Sequence, residues 1–320
     1  MIITLTPNPS VDRTVTFDEL YRGAVNRATS SRIDPGGKGV NVSRALTAQG
    51  ASTIAVLPEG GPEGHLMADL LDSAGVVRRG VPIRGSVRLN ITAVEPDGTT
   101  TKLNEPGPTL DEGEVRALLD AVATSVRSAP DPRQVWVVTC GSLPPGAPED
   151  LHARLVRSAR EAGALVAVDS SGDPLRPAVA EGPDLIKPNR VELEELVGAA
   201  LTTLGDVIDA AADLVTDGIG RVAVSLGRDG AVLVDAAGAT HARATIGRPR
   251  STVGAGDCML AGLVHDLSTG RPAADALRTG VLWGAAAVTL PGSRVPAPDD
   301  LAGIAVELTT TPDRSLAVRD

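Results

Sequence analysis

Short apolar runs alternate with amphipathic stretches along most of the chain. The apolar runs predicted as strands lie near residues 2–6, 53–57, 135–139, 164–169, 184–187, 221–226 and 231–235. Predicted helices lie between them, near residues 40–49, 64–74, 111–127, 149–162, 205–217 and 257–268. Runs such as 135–138 are continuously apolar, as expected of strands that helices cover on both faces. The alternation predicts an α/β fold with a mostly parallel sheet.

Two segments depart from this alternation. Residues 11–34 and 86–105 are rich in Thr and partly alternate between polar and apolar positions, and neither has a helical period. A Pro-Asp-Gly turn at 96–98 divides the second segment. We therefore predict that both segments form antiparallel strands of a small lid, inserted in a single domain that spans residues 1–320. The Pro- and Asp-rich segment after about residue 296 is expected to be loosely held.

The composition argues against nucleic acids and membranes as partners. The 320 residues carry a formal net charge of -10, whereas nucleic acids and anionic membranes attract clustered Lys and Arg. The four aromatic residues, Trp136, Trp283, Tyr21 and Phe17, are too few for base-stacking platforms. The chain also lacks the run of about 18 apolar residues that a membrane span requires. Binding of an anionic ligand would therefore depend on a local site.

Cysteine usage and the first residues predict a cytoplasmic location. Cys140 and Cys258 are far apart and have neither a metal-binding nor a redox spacing, which is typical of proteins in a reducing compartment. Residues 1–6 read as a strand, without the charged start and longer apolar run of a signal peptide.

The strongest chemical signal is Gly254-Ala255-Gly256-Asp257, which precedes an apolar, small-residue helix. Glycines before a helix let backbone N–H groups face an anion, and the helix dipole adds positive potential at that point. Asp257 would then lie close enough to take a proton from a hydroxyl that attacks a phosphate. In isolation, Asp257 could equally be a helix cap. The spacing excludes two other phosphate-binding motifs, because Lys38 is followed by Gly39 and Met259 stands where a dinucleotide fingerprint requires Gly.

Together with the box at 35–42, of sequence PGGKGVNV, this signature resembles the PfkB family of carbohydrate kinases. The resemblance extends from Thr4 to about Pro291. It implies a ribokinase-like three-layer αβα sandwich with a β-strand lid, and it implies ATP and Mg²⁺ as cofactors. Segments 6–12 and 141–146 resemble the branch that acts on phosphorylated ketohexoses. The implied reaction is phosphorylation of fructose 1-phosphate to fructose 1,6-bisphosphate, with tagatose 6-phosphate or fructose 6-phosphate as alternative substrates.

The resemblance also assigns residues to a sugar-phosphate pocket. It places Asp12 at the sugar hydroxyls as a bidentate acceptor and Arg88, a lid residue, at the substrate's phosphate, since a guanidinium matches phosphate oxygens in a fork. The same residues could instead be a turn cap and part of a solvated edge strand. Further expected contacts to the substrate come from Gly36, Gly37, Lys38, Asn41 and Ser142, with Arg27 a weaker candidate.

A second set of residues is implied for the nucleotide. Asn189 and Glu192 match the family's Asn-x-x-Glu motif, and Glu192 is expected to hold Mg²⁺ largely through water, because magnesium keeps several waters. An acidic residue in a first helical turn is also common for structural reasons. The other implied nucleotide contacts are Lys187, Ser225, Gly227, Gly230 and Val253. Pairing of two lids predicts a homodimer, since exposed edge strands tend to be covered.

Two competing functions remain open at this point. A non-catalytic sugar-phosphate or nucleotide sensor could use the same fold, although the retained Asp257 argues for catalysis. A ribose or nucleoside kinase would not need the phosphate clamp that Lys38 and Arg88 are expected to form.

Overall fold

The computed structural model describes residues 1–247 and 249–318. A ten-stranded sheet forms the centre, in the order β14-β13-β12-β11-β10-β9-β8-β1-β4-β5. The seven strands from β11 to β5 are parallel, and β12, β13 and β14 add an antiparallel edge. These strands are β1 (Ile2–Leu5), β4 (Thr53–Glu59), β5 (Arg78–Pro82), β8 (Trp136–Cys140), β9 (Leu165–Asp169), β10 (Leu185–Ile186), β11 (Arg221–Ser225), β12 (Ala231–Asp235), β13 (Gly238–Thr245) and β14 (Ala305–Thr309).

Helices cover both faces of this sheet. They are α1 (Lys38–Ala48), α2 (Gly61–Ser73), α3 (Glu112–Arg127), α4 (Leu151–Glu161), α5 (Leu175–Ala180), α6 (Arg190–Val197), α7 (Leu204–Thr216), α8 (Ala255–Ser268) and α9 (Ala273–Val288). None of the helices in the described residues is long and apolar enough to cross a membrane.

Alternate side chains along the parallel strands enter two separate cores. On one face, Val166 and Val168 pack with the buried residues of α3, α4 and α7. On the other face, Ala167 packs with those of α1, α8 and α9. Because a strand points successive side chains to opposite faces, both kinds of position must be apolar when helices cover both sides. The predicted three-layer αβα arrangement is confirmed.

The two Thr-rich segments form a second sheet, as predicted, with the strand order β3-β2-β6-β7. Its strands are β2 (Ser10–Thr16), β3 (Ser30–Gly36), β6 (Arg88–Val94) and β7 (Thr100–Asn104). The expectation of antiparallel strands throughout is wrong, because β2 and β6 run parallel. Both strands leave the carboxyl-terminal edge of the central sheet, β2 after β1 and β6 after β5, so they enter the second sheet in the same direction. Each then pairs antiparallel with its hairpin partner.

The segment after residue 296 is more ordered than expected. It supplies β14, which pairs with β13 at the edge of the central sheet. The end of the described chain then returns to α7, where the Leu204 amide donates to the Leu316 carbonyl at 2.8 Å. Of the Pro and Asp residues that suggested a loose tail, Pro298, Asp299 and Asp300 form a short 3₁₀ turn before β14, and Pro312 and Asp313 lie between β14 and the contact with α7.

Candidate active site

The predicted site residues converge at the carboxyl-terminal edge of the parallel strands. The loops that follow β1, β8, β9, β10 and β11 begin at this edge, and the N-terminus of α8 faces them. Ligands of open α/β sheets collect at this edge because the loops between strands and helices open there. The side chains that meet are Lys38, Asn41, Asp169, Lys187, Glu192 and Asp257.

Asp257 lies in the first turn of α8, where no side chain of the described residues caps the helix. Gly254 occupies the N-cap position with φ 79°, a left-handed conformation that glycine adopts without strain. The first-turn amides of Gly256 and Asp257 cannot be paired within the helix, since the first N–H groups of any helix lack a carbonyl partner. The geometry therefore joins an anion-binding helix start to a carboxylate.

The Asp257 carboxylate is nearly enclosed, at 8% exposure. Its Oδ2 accepts a 2.8 Å hydrogen bond from Nδ2 of Asn41. Burial, reinforced by the negative charge of Asp169, raises the pKa of Asp257 to about 6, although Asn41, Lys38 and Lys187 act in the opposite direction. The side chain is therefore mostly ionised near neutral pH, as a general base must be.

Asp169 links the two lysines of the site. Its Oδ1 accepts from Nζ of Lys38 at 2.7 Å, and Nζ of Lys187 lies 2.9 Å from its Oδ2. Burial alone would raise the pKa of Asp169, but Lys187 and Lys38 together hold it below its usual value. Burial likewise opposes the charge on Lys38, yet Asp169, with smaller effects of Glu192 and Asp257, raises the Lys38 pKa. The Lys38 ammonium group thus stays charged beside the start of α8.

Asp169 was not among the residues singled out from the sequence. It ends the apolar strand β9 at the carboxyl edge, and a charged residue directly after a fully covered strand is the signal that could have identified it. The same reasoning selected Ser225 at the end of β11. Lys187 follows β10 in the same manner, and its Nζ lies 3.5 Å from the position that a Cβ on Gly256 would occupy.

Asn189 and Glu192 form a reciprocal capping box at the start of α6. The Asn189 side chain accepts from the Glu192 amide at 2.8 Å, and Glu192 Oε2 accepts from the Asn189 amide at 2.8 Å. The motif therefore has a structural role at the start of this helix. The other carboxylate oxygen of Glu192 lies 3.9 Å from Nζ of Lys38, so Glu192 also faces the site.

Asp12 lies near the start of β2, in the second sheet. Its Oδ1 accepts from the Ser10 hydroxyl at 2.7 Å and from Nδ2 of Asn90 at 3.1 Å. Burial raises its pKa, while Ser10, Asn90 and Arg88 act to lower it. Gly36 lies against the same carboxylate, and a Cβ at Gly36 would overlap the Asp12 oxygens. Glycine is therefore required at Gly36 to leave Asp12 in place.

The rest of the predicted sugar-phosphate pocket surrounds the start of α1. Gly37 is the N-cap residue of that helix, and Lys38 and Asn41 belong to its first turns. Ser142 lies in the loop after β8, and Nδ2 of Asn8 lies 3.5 Å from its hydroxyl. Arg27 is exposed in the connection between β2 and β3.

Arg88, the first residue of β6, is partly used by the protein itself. Its Nη1 donates to the Glu105 carbonyl and its Nη2 to the Asn8 carbonyl, each at 3.2 Å. Its Nε is buried without a hydrogen-bond partner in the described part of the chain. An open cavity of about 270 Å³ lies beside it, lined by Glu63, Ser86, Val87, Arg88, Glu105, Pro106 and Gly107. The guanidinium thus joins the lid to the central sheet and keeps donors for a further ligand.

The predicted nucleotide residues flank the other side of the α8 N-terminus. Ser225 ends β11 and lies next to Asn189, with which it forms an isolated bridge. Gly227 and Gly230 belong to the short turn that follows, where Gly230 lies against the Ala242 carbonyl of β13. Val253 is 42% exposed just before α8, which leaves an apolar surface beside the helix start.

The chain is similar in sequence and in fold to known carbohydrate kinases. The model of the pfkB family carbohydrate kinases matches residues 6–300. The chain therefore belongs to the pfkB family of carbohydrate kinases. Among characterised members, a 1-phosphofructokinase from Rhodobacter capsulatus is 39% identical over 309 residues, which is 96% of either chain. An ATP-dependent 6-phosphofructokinase isozyme 2 from Escherichia coli is 35% identical over 302 residues, covering 93% of this chain and 96% of the relative.

The fold of this chain is also similar to that of ribokinase. The crystal structure of ribokinase from Thermotoga maritima matches with a TM-score of 0.75 at 19% identity, covering 94% of this chain and 97% of the ribokinase. The expectation of a ribokinase-like fold is thereby confirmed, as is the family assigned from the two glycine-rich signatures.

Proposed function

We propose that the protein transfers the γ-phosphoryl group of ATP to a phosphorylated ketohexose, with fructose 1-phosphate as the first candidate substrate. The observation that carries this proposal is Asp257, a nearly enclosed carboxylate beside the uncapped N-terminus of α8. A base and an anion site share one helical turn there, which is the combination that attack of an alcohol on a phosphate requires.

In the proposed reaction, Asp257 accepts the proton of the sugar hydroxyl as its oxygen forms a bond to the γ-phosphorus. The bond from that phosphorus to the β,γ-bridging oxygen breaks, and the electron pair leaves with ADP. The first-turn amides of α8 and the ammonium groups of Lys38 and Lys187 stabilise the negative charge during transfer. Asp169 acts indirectly by holding both lysines in place through its two oxygens.

Magnesium, when bound, would neutralise part of the charge on the nucleotide phosphates. The described residues contain no group of three or more His, Cys, Asp or Glu side chains that could hold a metal ion. Glu192 nevertheless fits an ion that keeps most of its waters and binds mainly through phosphates. One of its oxygens caps α6, and the other lies 3.9 Å from Nζ of Lys38, too far for a direct hydrogen bond, so this oxygen could accept a hydrogen bond from a metal-bound water.

The nucleotide is proposed to lie over the loops after β10 and β11. Lys187 and Asn189 would face its phosphates, with Ser225, Gly227 and Gly230 along the turn beside them. Val253 offers apolar surface for the adenine ring of the nucleotide. A relative that is named as ATP-dependent supports ATP as the donor.

A phosphorylated sugar is favoured over a neutral one by the cations around the acceptor side. Asp12 would accept from sugar hydroxyls, and Arg88 and Lys38 would hold the existing phosphate. Gly36, Gly37, Asn41 and Ser142 complete the proposed pocket. Two named relatives act on different fructose phosphates, so fructose 6-phosphate is the main alternative, followed by tagatose 6-phosphate.

The second sheet is proposed to close over the sugar and to pair with a second copy of the chain, within one kinase domain. Its strand β7 is fully exposed along one edge, and such an edge favours pairing with another strand. We also propose a cytoplasmic location, which the two buried free cysteines support. Light scattering that gave the monomer mass at micromolar concentration would remove the dimer.

A coupled assay of ADP release tests the proposed function. Fructose 1-phosphate, fructose 6-phosphate and tagatose 6-phosphate are compared at equal concentration, with fructose and ribose as uncharged controls. The highest kcat/KM is expected for fructose 1-phosphate. Binding of a sugar phosphate without turnover of any of the five compounds would instead favour a non-catalytic sensor.

A further inference from the structure

Arg44, in the second turn of α1, has no role in the reaction described above, yet it contacts three parts of the site. Its Nη1 lies 3.1 Å from Oδ1 of Asn41, 3.1 Å from the Pro35 carbonyl and 3.2 Å from the Ser293 carbonyl. Pro35 belongs to lid strand β3, and Ser293 lies in the segment after α9. The Arg44 guanidinium thus connects α1 to strand β3 and to the segment after α9.

The contact with Asn41 determines which end of that amide faces Asp257. A guanidinium has donors and no acceptor, so the Asn41 atom beside Arg44 has to be the carbonyl oxygen. The amide nitrogen then points to the opposite side, where it donates to Oδ2 of Asp257 at 2.8 Å. If the amide turned over, two donors would face each other at Arg44 and two acceptors would face each other at an ionised Asp257.

We propose that Arg44 is a positioning residue which fixes the orientation of the Asn41 amide and thereby keeps a hydrogen-bond donor directed at the base, Asp257. This inference deepens the proposed phosphotransfer and rests on it for the role of Asp257 as a base. Arg44 acts through Asn41 and touches neither the proposed substrate nor the reacting atoms.

The relay has a specific consequence for proton uptake at Asp257. A donor favours the ionised carboxylate, whereas a freely turning amide can also offer its oxygen to the protonated form. The charged and titratable groups that face Asp257 are Lys38 on α1, Asp169 at the end of β9, Lys187 after β10 and the neighbouring Cys258 on α8. Removing Arg44 leaves those groups in place but also removes one positive charge. A direct effect of that charge on Asp257 does not pass through Asn41, so it would persist after the Asn41 amide is removed, whereas an effect of the relay would not.

The test is the pH dependence of kcat/KM in Arg44→Met, Asn41→Leu and the double variant. In Arg44→Met, the acid limb should move to higher pH by about 1 unit, while the rate well above the limb stays close to that of the unmodified enzyme. Once Asn41→Leu has removed the amide, Arg44→Met should cause no further shift. A second shift of the same size in the double variant, or a loss that is equal at every pH, would overturn the relay.

Two further variants guard against trivial explanations. Gln49→Met removes a 2.9 Å hydrogen bond from the C-cap residue of α1 to the Pro296 carbonyl without touching Asn41, so its acid limb should not move. If Arg44→Met does not fold, Arg44→Gln keeps a polar side chain but can present either an oxygen or a nitrogen to Asn41. It should shift the limb in the same direction by a smaller amount, and an unchanged limb would count against the relay.

A readout without turnover separates this inference from the proposed function. The difference in unfolding free energy between each protein and the same protein carrying Asp257→Asn, followed across pH, reports the pKa of Asp257 directly. The midpoint of that curve should rise by about 1 pH unit on Arg44→Met. If the protein phosphorylates none of the sugars but shows this rise, the relay stands and the proposed function fails. If it phosphorylates a sugar but the midpoint does not rise, the proposed function stands and the relay fails.

Discussion

Nδ2 of Asn41 donates to Oδ2 of Asp257 at 2.8 Å, which joins α1 to α8 across 216 positions of the sequence. The contact places Asn41, near the end of the first glycine-rich signature, against Asp257, the last residue of the second. It also explains why the two signatures belong to one function, because the amide of the first orients and partly stabilises the carboxylate of the second. A base assembled in this way depends on both halves of the chain.

Asp257→Asn should lower kcat by at least about 10²-fold, the usual scale for loss of a general base. The amide is nearly isosteric with the carboxylate and its oxygen can still accept from Asn41, so binding of ATP and of the sugar phosphate should persist. Steady-state kinetics and calorimetric titration with both ligands check the two halves of this statement. Near-normal turnover in the purified variant would remove Asp257 as the base.

The activity should fall on acidification through about pH 6. Burial and the charge of Asp169 raise the pKa of Asp257 to about 6, and only its ionised form can accept a proton. In a plot of kcat/KM against pH, the acid limb is therefore expected near this value. A limb near pH 4, the ordinary range of an aspartate, would mean that the carboxylate is better solvated than the structure indicates.

The same carboxylate should reduce stability at neutral pH. A carboxyl group whose pKa is higher in the folded than in the unfolded protein favours folding at low pH, and that advantage disappears as pH rises through the folded-state value. Asp257→Asn should therefore gain stability over the unmodified protein between about pH 4 and pH 6, to a plateau of roughly 2–3 kcal/mol. Urea unfolding of both proteins across this pH range measures the difference in stability. Equal stability of the two proteins at pH 8 would contradict the prediction.

Prediction from the sequence succeeded where a local signal was strong. Continuous apolar runs identified the central parallel strands, and the glycines before residue 257 correctly placed Asp257 in the first turn of a helix. Asp169 was missed because a single aspartate at a strand end has no distinctive neighbours, and its importance appears only when Lys38 and Lys187 meet it from different elements. The parallel pairing of β2 with β6 was missed for a related reason, since strand direction is set by where each chain segment leaves the central sheet.

The uses of Asn41 and Arg88 could also not be read from their neighbours. Asn41 was expected to contact the sugar, and its amide also contacts Arg44 and Asp257, which no local pattern indicated. Arg88 was expected to hold the substrate's phosphate, and it also donates to two backbone carbonyls. Contacts between residues far apart in sequence decide such roles.

His152 should make the protein sensitive to mild acid independently of the active site. The ring is fully buried: Nε2 lies 3.1 Å from the Gly141 carbonyl and so must carry the hydrogen, while Nδ1 accepts from the Thr139 hydroxyl at 2.7 Å. Burial lowers the pKa of His152 to about 4. Since the folded-state value lies below the usual 6.5, stability is lost as pH falls from about 6.5 to about 4, by up to roughly 3 kcal/mol.

His152→Gln removes the titration but retains a polar side chain for the Gly141 loop. Its free energy of unfolding should be lower than that of the unmodified protein at pH 7 and should change less between pH 6.5 and pH 4. Chemical denaturation at intervals across this window measures both. Parallel curves for the two proteins would show that other groups cause the acid sensitivity.

Arg88→Ala should raise the KM for the phosphorylated sugar while the KM for ATP changes little. Loss of a hydrogen bond to a charged group costs roughly 1.5–3 kcal/mol, or about 10- to 150-fold in KM, and a desolvated two-pronged contact lies at the upper end of that range. Steady-state kinetics with fructose 1-phosphate and ATP, each varied in turn, measure both constants.

The unphosphorylated sugar separates a phosphate clamp from a structural role for Arg88. Nη1 and Nη2 already hold the carbonyls of Glu105 and Asn8, so the substitution also loosens the junction between the lid and the central sheet. Damage to the lid would lower kcat/KM for fructose and for fructose 1-phosphate by the same factor, because both sugars must be enclosed. Loss of a clamp would affect only the sugar that carries the phosphate. An equal loss for both sugars would therefore assign Arg88 to the lid junction and leave Lys38 as the remaining candidate for the substrate's phosphate.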